Sequence, residues 1–353
     1  MPLAGGGLTG VMKQNGRTFP VTAARVAAGS GDGATKRPQA PKPPFPYTAR
    51  EVKVENLEAK VTLAGTLTVP KTPGPHPAAV LLTGSGPQDR DETLFGHKPF
   101  LVLADHLSRN GVAVLRLDDR GFGQSTGDLA TATTADFASD ARAALLFMAV
   151  QPEVDVGGLG LIGHSEGGLV AAMVAGAEGP KAGVAWVVLL ASPGLSGREL
   201  VLYQTSEMYA PPGTDPAKVR AARDAAANVL DLLAADAWRW RLKRAVRALT
   251  KAQMAMGGPI RPDQLDSAVQ AGVTRMQSPW YRFFVTYDPR PDLRRISVPV
   301  LALNGALDTQ VPADAHLRGI EQALTAGGNQ DVTTVKLKGL NHLFQTADRK
   351  SVV

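Results

Sequence analysis

Two segments of the chain place a serine between flanking glycines in the pattern Gly-x-Ser-x-Gly: Gly123-Gln124-Ser125-Thr126-Gly127 and Gly163-His164-Ser165-Glu166-Gly167. Such a pattern can support nucleophilic attack on a carbonyl, because the small residues allow a sharp strand-to-helix turn that holds a hydroxyl above a sheet. Context separates the two matches. Leu159-Gly160-Leu161-Ile162 runs straight into Gly163, and Gly167-Gly168-Leu169-Val170-Ala171-Ala172-Met173 continues with helical spacing. Ser125 lies several residues past its strand, in the loop that starts at Asp118, and is followed by Thr-rich sequence. It reads as a turn residue or helix N-cap, which leaves Ser165 as the candidate nucleophile.

A serine hydroxyl needs a neighbouring base, and the base needs an acid to orient it. Of the six histidines, His76 lies in a Pro-rich turn, and His106 and His316 fall inside predicted helices. His164 belongs to the turn itself, where the ring is expected to point away from the hydroxyl, and His97 comes too early in the fold. His342 remains, in the loop Gly339-Leu340-Asn341-His342 after the last predicted strand. Asp308 lies between serine and histidine in chain order, 143 residues after Ser165 and 34 before His342, directly after the penultimate strand. Asp before a Val-Pro helix start is also an ordinary N-terminal charge, but all three residues sit at the carboxyl end of their own strands in the expected order. For a developing oxyanion the backbone donors are expected at Glu166 and at Ser85 in Thr83-Gly84-Ser85-Gly86-Pro87, with Gly86 the alternative; Pro87 has no N–H. The Glu166 carboxylate is either a favourable charge at a helix start or a hydrogen-bonding group across the site.

These residues need a scaffold that brings strand ends together. From about Arg50, apolar strand-like runs alternate with helical stretches. Strands are expected at 52–55, 61–69, 78–83, 112–117, 159–163, 185–190, 300–304 and 332–337, and helices at 100–109, 135–150, 166–177 and 313–324. This is the pattern of an α/β domain with a mainly parallel, doubly wound sheet, whose ligands sit beyond the carboxyl ends of the strands. The core is expected at 50–197 and 291–347. Residues 198–290 lack clear strands and are rich in Ala, Arg and Leu, so they are expected to form a helical cap. Residues 1–28 read as a short β hairpin around Asn15-Gly16, and 29–49 as a Pro/Gly-rich linker.

Composition narrows the chemistry. The chain has 353 residues, 44% hydrophobic and 20% charged, with a net charge of +6 and no cysteine. Thiol nucleophiles, disulfides and cysteine-ligated metals are therefore excluded. The charge excess is mild over this length, so no nucleic-acid partner is expected. No metal or cofactor is expected either, and no run is long and apolar enough for a membrane span.

From about Arg50 to Phe344 the sequence resembles the α/β-hydrolase superfamily, and within it bacterial serine carboxylesterases. The segments Gly84-Ser85-Gly86-Pro87-Gln88-Asp89-Arg90-Asp91-Glu92, Phe95-Gly96-His97-Lys98-Pro99-Phe100, Asp118-Asp119-Arg120-Gly121-Phe122-Gly123-Gln124-Ser125 and Gly163-His164-Ser165-Glu166-Gly167-Gly168 carry the resemblance. It implies hydrolysis of short acyl esters, with Ser165, Asp308 and His342 at the catalytic positions. A serine peptidase or amidase related to the prolyl oligopeptidase catalytic domain is the alternative, and a non-catalytic hydrolase-fold binding protein is a third reading. Relatives carry a longer N-terminal β-rich region and a helix after the histidine. Residues 1–28 are accordingly expected to be the remnant of a larger β region and 348–353 a non-native tail. As written the chain has no signal peptide and reads as cytoplasmic, with export left open for a longer native protein. Its oligomeric state is open, a dimer included.

Within the expected cap, Trp238-Arg239-Trp240-Arg241-Leu242-Lys243-Arg244-Ala245-Val246-Arg247 reads as a solvated basic face with two packed tryptophans. Trp280, Tyr281 and Phe284, in an aromatic run just before the return to the core, are candidates for the wall of an acyl pocket.

Overall fold

The structure is a computed structural model, and it describes residues 8–14, 17–23, 37–94, 96–178, 183–208, 210–258 and 260–347. The chain divides into two units, Met1–Ala40 and Pro41–Val353. In the first, β1 (Leu8–Gln14) pairs antiparallel with β2 (Arg17–Ala23), in register from Leu8 opposite Ala23 to Gln14 opposite Arg17. The expected turn residues Asn15 and Gly16, most of the expected linker and the suspected tail at 348–353 lie outside the described residues.

The second unit is built on an eight-stranded sheet in the order β10-β9-β8-β7-β5-β6-β4-β3. Its strands are β3 (Tyr47–Asn56), β4 (Val61–Pro70), β5 (His76–Leu82), β6 (Ala113–Leu117), β7 (Val154–His164), β8 (Trp186–Leu190), β9 (Val300–Gly305) and β10 (Val332–Leu337). From β6 to β10 all neighbours pair parallel, while β4 runs antiparallel to both β3 and β6. The interior strands are near-continuous Val, Leu and Ala because helices cover both faces. The edge strand β3 extends well beyond the expected 52–55, since its ten residues all pair with β4. Six of its residues are exposed, and that blurred the apolar signal.

Four helices connect the parallel strands: α1 (Pro99–Arg109), α2 (Thr134–Ala149), α3 (Glu166–Glu178) and, after β9, α10 (Ala313–Ala326). Helix α2 starts at a capping box in which Thr133 and Asp136 satisfy each other's backbone amides. Because β6 lies on one side of β5 and β7 on the other, the winding direction reverses at β5. The loops leaving β5 and β7 diverge there, and that crevice is where a doubly wound sheet can bind a ligand.

Between β8 and β9 the chain forms α4 (Gly197–Ser206), α5 (Pro216–Ala234), α6 (Arg239–Ala255), α7 (Leu265–Met276), α8 (Pro279–Thr286) and the short α9 (Arg290–Leu293). These helices bury their own apolar cluster, including Leu200, Val229, Leu242, Val246, Leu249, Val269 and Val273, which joins the sheet domain through Leu169 and Val311. The expectation of two packed tryptophans is corrected here: Trp238 is 77% and Trp240 65% exposed. The buried stripe of α6 is Leu242, Ala245, Val246 and Leu249, a spacing of three and four residues. Trp240 lies off that stripe, and Trp238 precedes the first helical turn. Among the described residues no helix is long and apolar enough to cross a membrane.

Candidate active site

Strand β7 ends at His164 and α3 begins at Glu166, leaving Ser165 alone at the turn with φ of 52°. That left-handed backbone is unusual for a residue with a side chain, and close packing enforces it. A Cβ at Gly163 would stand 2.1 Å from the carbonyl oxygen of Gly167, and one at Gly167 would stand 2.1 Å from that of Leu82. The Ser165 amide donates to Leu190 at 2.8 Å, tying the turn to the end of β8. Ser165 is half-buried. Ser125, the other match, sits in a different setting: its hydroxyl donates to the Asp118 carbonyl at 2.8 Å and accepts the Ala64 amide at 2.9 Å. It is a turn residue.

Asp308 and His342 meet. Nδ1 of His342 lies 2.7 Å from Oδ2 of Asp308, and both residues are buried. The second oxygen of Asp308 accepts the amides of Gln310 at 2.8 Å and Val311 at 2.9 Å, so the carboxylate is fixed before α10 starts. The two loops are joined by the Leu307 amide donating to Leu340 at 2.9 Å. Asn341, also buried, accepts the amides of Leu343 and Gln345 at 3.0 Å each and folds the chain back around His342. Among the described residues no hydrogen bond engages the Ser165 hydroxyl; such bonds often form only when substrate is bound.

The loop after β5 is held from below. The Gly84 amide donates to Glu92 at 2.7 Å, and the Gln88 amide donates to Asp119 at 3.0 Å. Asp118 accepts both the amide and the guanidinium of Arg90. Among the described residues no hydrogen bond uses the amides of Ser85, Gly86 or Glu166, which leaves these three as available donors. Burial raises Asp119 to about 8, with the Thr83 hydroxyl and Gln88 amide working against that shift and Glu166 and Glu92 adding to it. Beneath the loop is a cavity of about 50 Å³ bounded by Thr83, Gly84, Asp119, Phe137, Glu166 and Val170 among others.

The Glu166 carboxylate reaches across the site. It accepts the Thr134 hydroxyl at 2.7 Å and the Trp280 indole N–H at 2.8 and 3.0 Å, and the Ser85 side chain bonds it too. Burial pushes its pKa up, against these donors. Trp280 stacks on Phe284, with ring centroids 5.2 Å apart. Of the residues expected to wall a pocket, Trp280 therefore touches the turn at Ser165, while Tyr281 and Phe284 are buried in the apolar cluster of the insertion.

The remaining histidines take other places. His316 is buried in α10, accepts the Gly194 amide at 3.0 Å, and is lowered to about 4 by burial. His106 is exposed, and His97 lies 3.1 Å from the Gln345 side chain. His164 was expected only to point away from the serine. It is buried, with Nδ1 2.7 Å from Glu92 and Nε2 3.0 Å from the His342 carbonyl oxygen. Sequence reasoning missed this pairing; its one trace was a histidine in the turn together with a glutamate within the loop after β5.

The sequence profile of the serine aminopeptidase, S33, family matches residues 98–347. The chain belongs to that family. This S33 family member is 26% identical over 308 residues to Esterase EstD of Thermotoga maritima, covering 87% of this chain and 63% of the relative. It thus spans less than two thirds of that relative's length. An esterase of Pyrococcus furiosus superposes with a TM-score of 0.53 at 18% identity, over 84% of each chain. The α/β hydrolase GrgF of a Penicillium species superposes with a TM-score of 0.51 at 19% identity, over 84% of this chain and 91% of its own. The family member has the α/β-hydrolase fold.

Proposed function

We propose that the chain is a serine carboxylesterase that hydrolyses short-chain acyl esters through an acyl-enzyme on Ser165. The observation that carries the reading is the buried 2.7 Å pair of His342 and Asp308, set on the loops beside a serine in a strained turn. With Nδ1 donating to Asp308, the other ring nitrogen of His342 is left as the base. It takes the Ser165 proton as the hydroxyl attacks the ester carbonyl. The oxyanion is held by the amides of Ser85 and Glu166, with Gly86 the alternative donor. His342 then protonates the leaving alcohol, and water attacks the acyl-enzyme by the same route in reverse. The esterase relative supports this reading, and the insertion over the site acts as its cap.

The family description favours a second reading, cleavage of peptides from an amino terminus. That chemistry needs a carboxylate free to meet the substrate ammonium. Beside the nucleophile stands Glu166, but its oxygens are occupied by Thr134, Ser85 and Trp280, which supports the ester over the peptide. Purified protein is expected to turn over p-nitrophenyl acetate or butyrate and not an aminoacyl nitroanilide. Ser165→Ala is expected to lower ester turnover by about 10⁴- to 10⁶-fold, and near-normal hydrolysis by that variant removes the assignment.

A further inference from the structure

The imidazole of His164 has an acceptor at each ring nitrogen: Oε1 of Glu92 at 2.7 Å from Nδ1 and the carbonyl oxygen of His342 at 3.0 Å from Nε2. A neutral imidazole has one N–H and one lone pair, so with an ionised Glu92 it would turn the lone pair towards one of these oxygens. The imidazolium donates to both. Three titratable groups face the ring: Glu92 from the loop after β5, Asp308 from the loop after β9, and His342, whose ring centroid is 4.9 Å away. Burial opposes a charge on His164, but the Glu92 carboxylate, with a contribution from Asp308, outweighs it and raises the pKa. Glu92 is itself buried, and its Oε1 also accepts the Gly84 amide at 2.7 Å. One carboxylate oxygen and one ring therefore link the start of the donor loop, the residue next to the nucleophile and the backbone of the candidate base.

We propose that Glu92 and His164 form a buried carboxylate–imidazolium pair that positions the two loops on which turnover depends, Glu92 holding the donor loop through Gly84 and His164 holding the His342 backbone. This deepens the esterase reading and rests on it for the roles of the two loops. Neither residue touches the substrate; both are positioning residues. The cost of removing a charged partner from a buried pair is high because the other charge is left uncompensated. Glu92→Gln is the sharper change: it keeps an oxygen for the Gly84 amide and removes only the charge that holds the proton on His164.

Two measurements test this. Ring-nitrogen shifts of the wild-type protein, with His164 assigned by His164→Asn, are expected to show both nitrogens protonated at about pH 8, where an unperturbed imidazole is almost wholly neutral. A neutral tautomer there, with Glu92 carrying the proton instead, overturns the proposal whatever the activity. In the second, Glu92→Gln is expected to lower kcat for p-nitrophenyl butyrate by ~10- to 100-fold with KM little changed. The ratio of variant to wild-type kcat should rise as pH falls, because His164 then takes its proton from solvent. A ratio that stays flat with pH, or an effect on KM alone, also overturns it. A wild-type protein inactive on esters would instead remove the esterase reading and leave the ring-nitrogen result standing.

Discussion

At the carboxyl edge of the sheet, polar side chains are each held by named partners, whereas in the helical insertion the residues are held by shared apolar contact. Asp308, Glu92, Glu166 and Asp119 each accept two or more hydrogen bonds, at least one of them from a segment more than 30 positions away. Leu242, Val246, Val269 and Val273 need only the right periodicity and volume. The first kind of region specifies geometry to within tenths of an ångström and tolerates little change; the second specifies a shape and tolerates much. Hydrogen bonds join the two, among them Trp280 to Glu166 and the Gln204 side chain to the Gln310 carbonyl.

Asp308→Asn is the largest way to break the contrast. It keeps the size of the side chain but favours the wrong tautomer of His342, and kcat should fall by about 10⁴-fold with the melting temperature little changed. A loss below tenfold in ester assays would mean that Asp308 does not orient the base. In the insertion the order of effects should reverse. Leu242→Ala, in the buried stripe of α6, is expected to destabilise the protein by ~2–5 kcal/mol in denaturant unfolding, with kcat of the folded fraction close to wild type.

The residue spacing already carried much of this division. The strand ends bearing Ser165, Asp308 and His342 were readable because each apolar run stops at a short loop, and the strand-to-helix turn at Ser165 was separable from Ser125 by its immediate strand and helix. The pairings of Glu92 with His164, and of Glu166 with Thr134 and Trp280, were not. They join residues 72, 32 and 114 positions apart, and nothing in local periodicity encodes which distant loop a polar group will meet. Trp240 is the opposite case: its place off the apolar stripe was legible, but residue type argued for burial and spacing won.

Smaller effects sharpen the boundary. Asp119 is raised to about 8 in the folded protein, against about 3.9 unfolded. The folded state therefore holds a proton that the unfolded state has lost. Stability should decline as pH rises from about 4 to about 8, by an amount on the order of several kcal/mol. Asp119→Asn is expected to flatten that slope, as read from urea unfolding at several pH values. Trp280→Phe keeps the stack on Phe284 but withdraws an N–H from buried Glu166, and should cost ~1–2 kcal/mol while lowering ester turnover more than Leu242→Ala does. The least effect is expected from Trp238→Ser with Trp240→Ser. Both rings are exposed, so stability should change by no more than about 0.5 kcal/mol for each.

The indole held by Glu166 also gives the molecule a built-in optical reporter. Of four tryptophans, Trp238 and Trp240 emit from water, and their light masks the one beside Ser165. With those two replaced by phenylalanine, the emission that remains comes from Trp186 and Trp280. Because Trp280 alone of these touches the turn at Ser165, acylation of that serine, if the proposed route holds, should be visible as a change in its wavelength or intensity, on the time scale of a single turnover and without a chromogenic substrate.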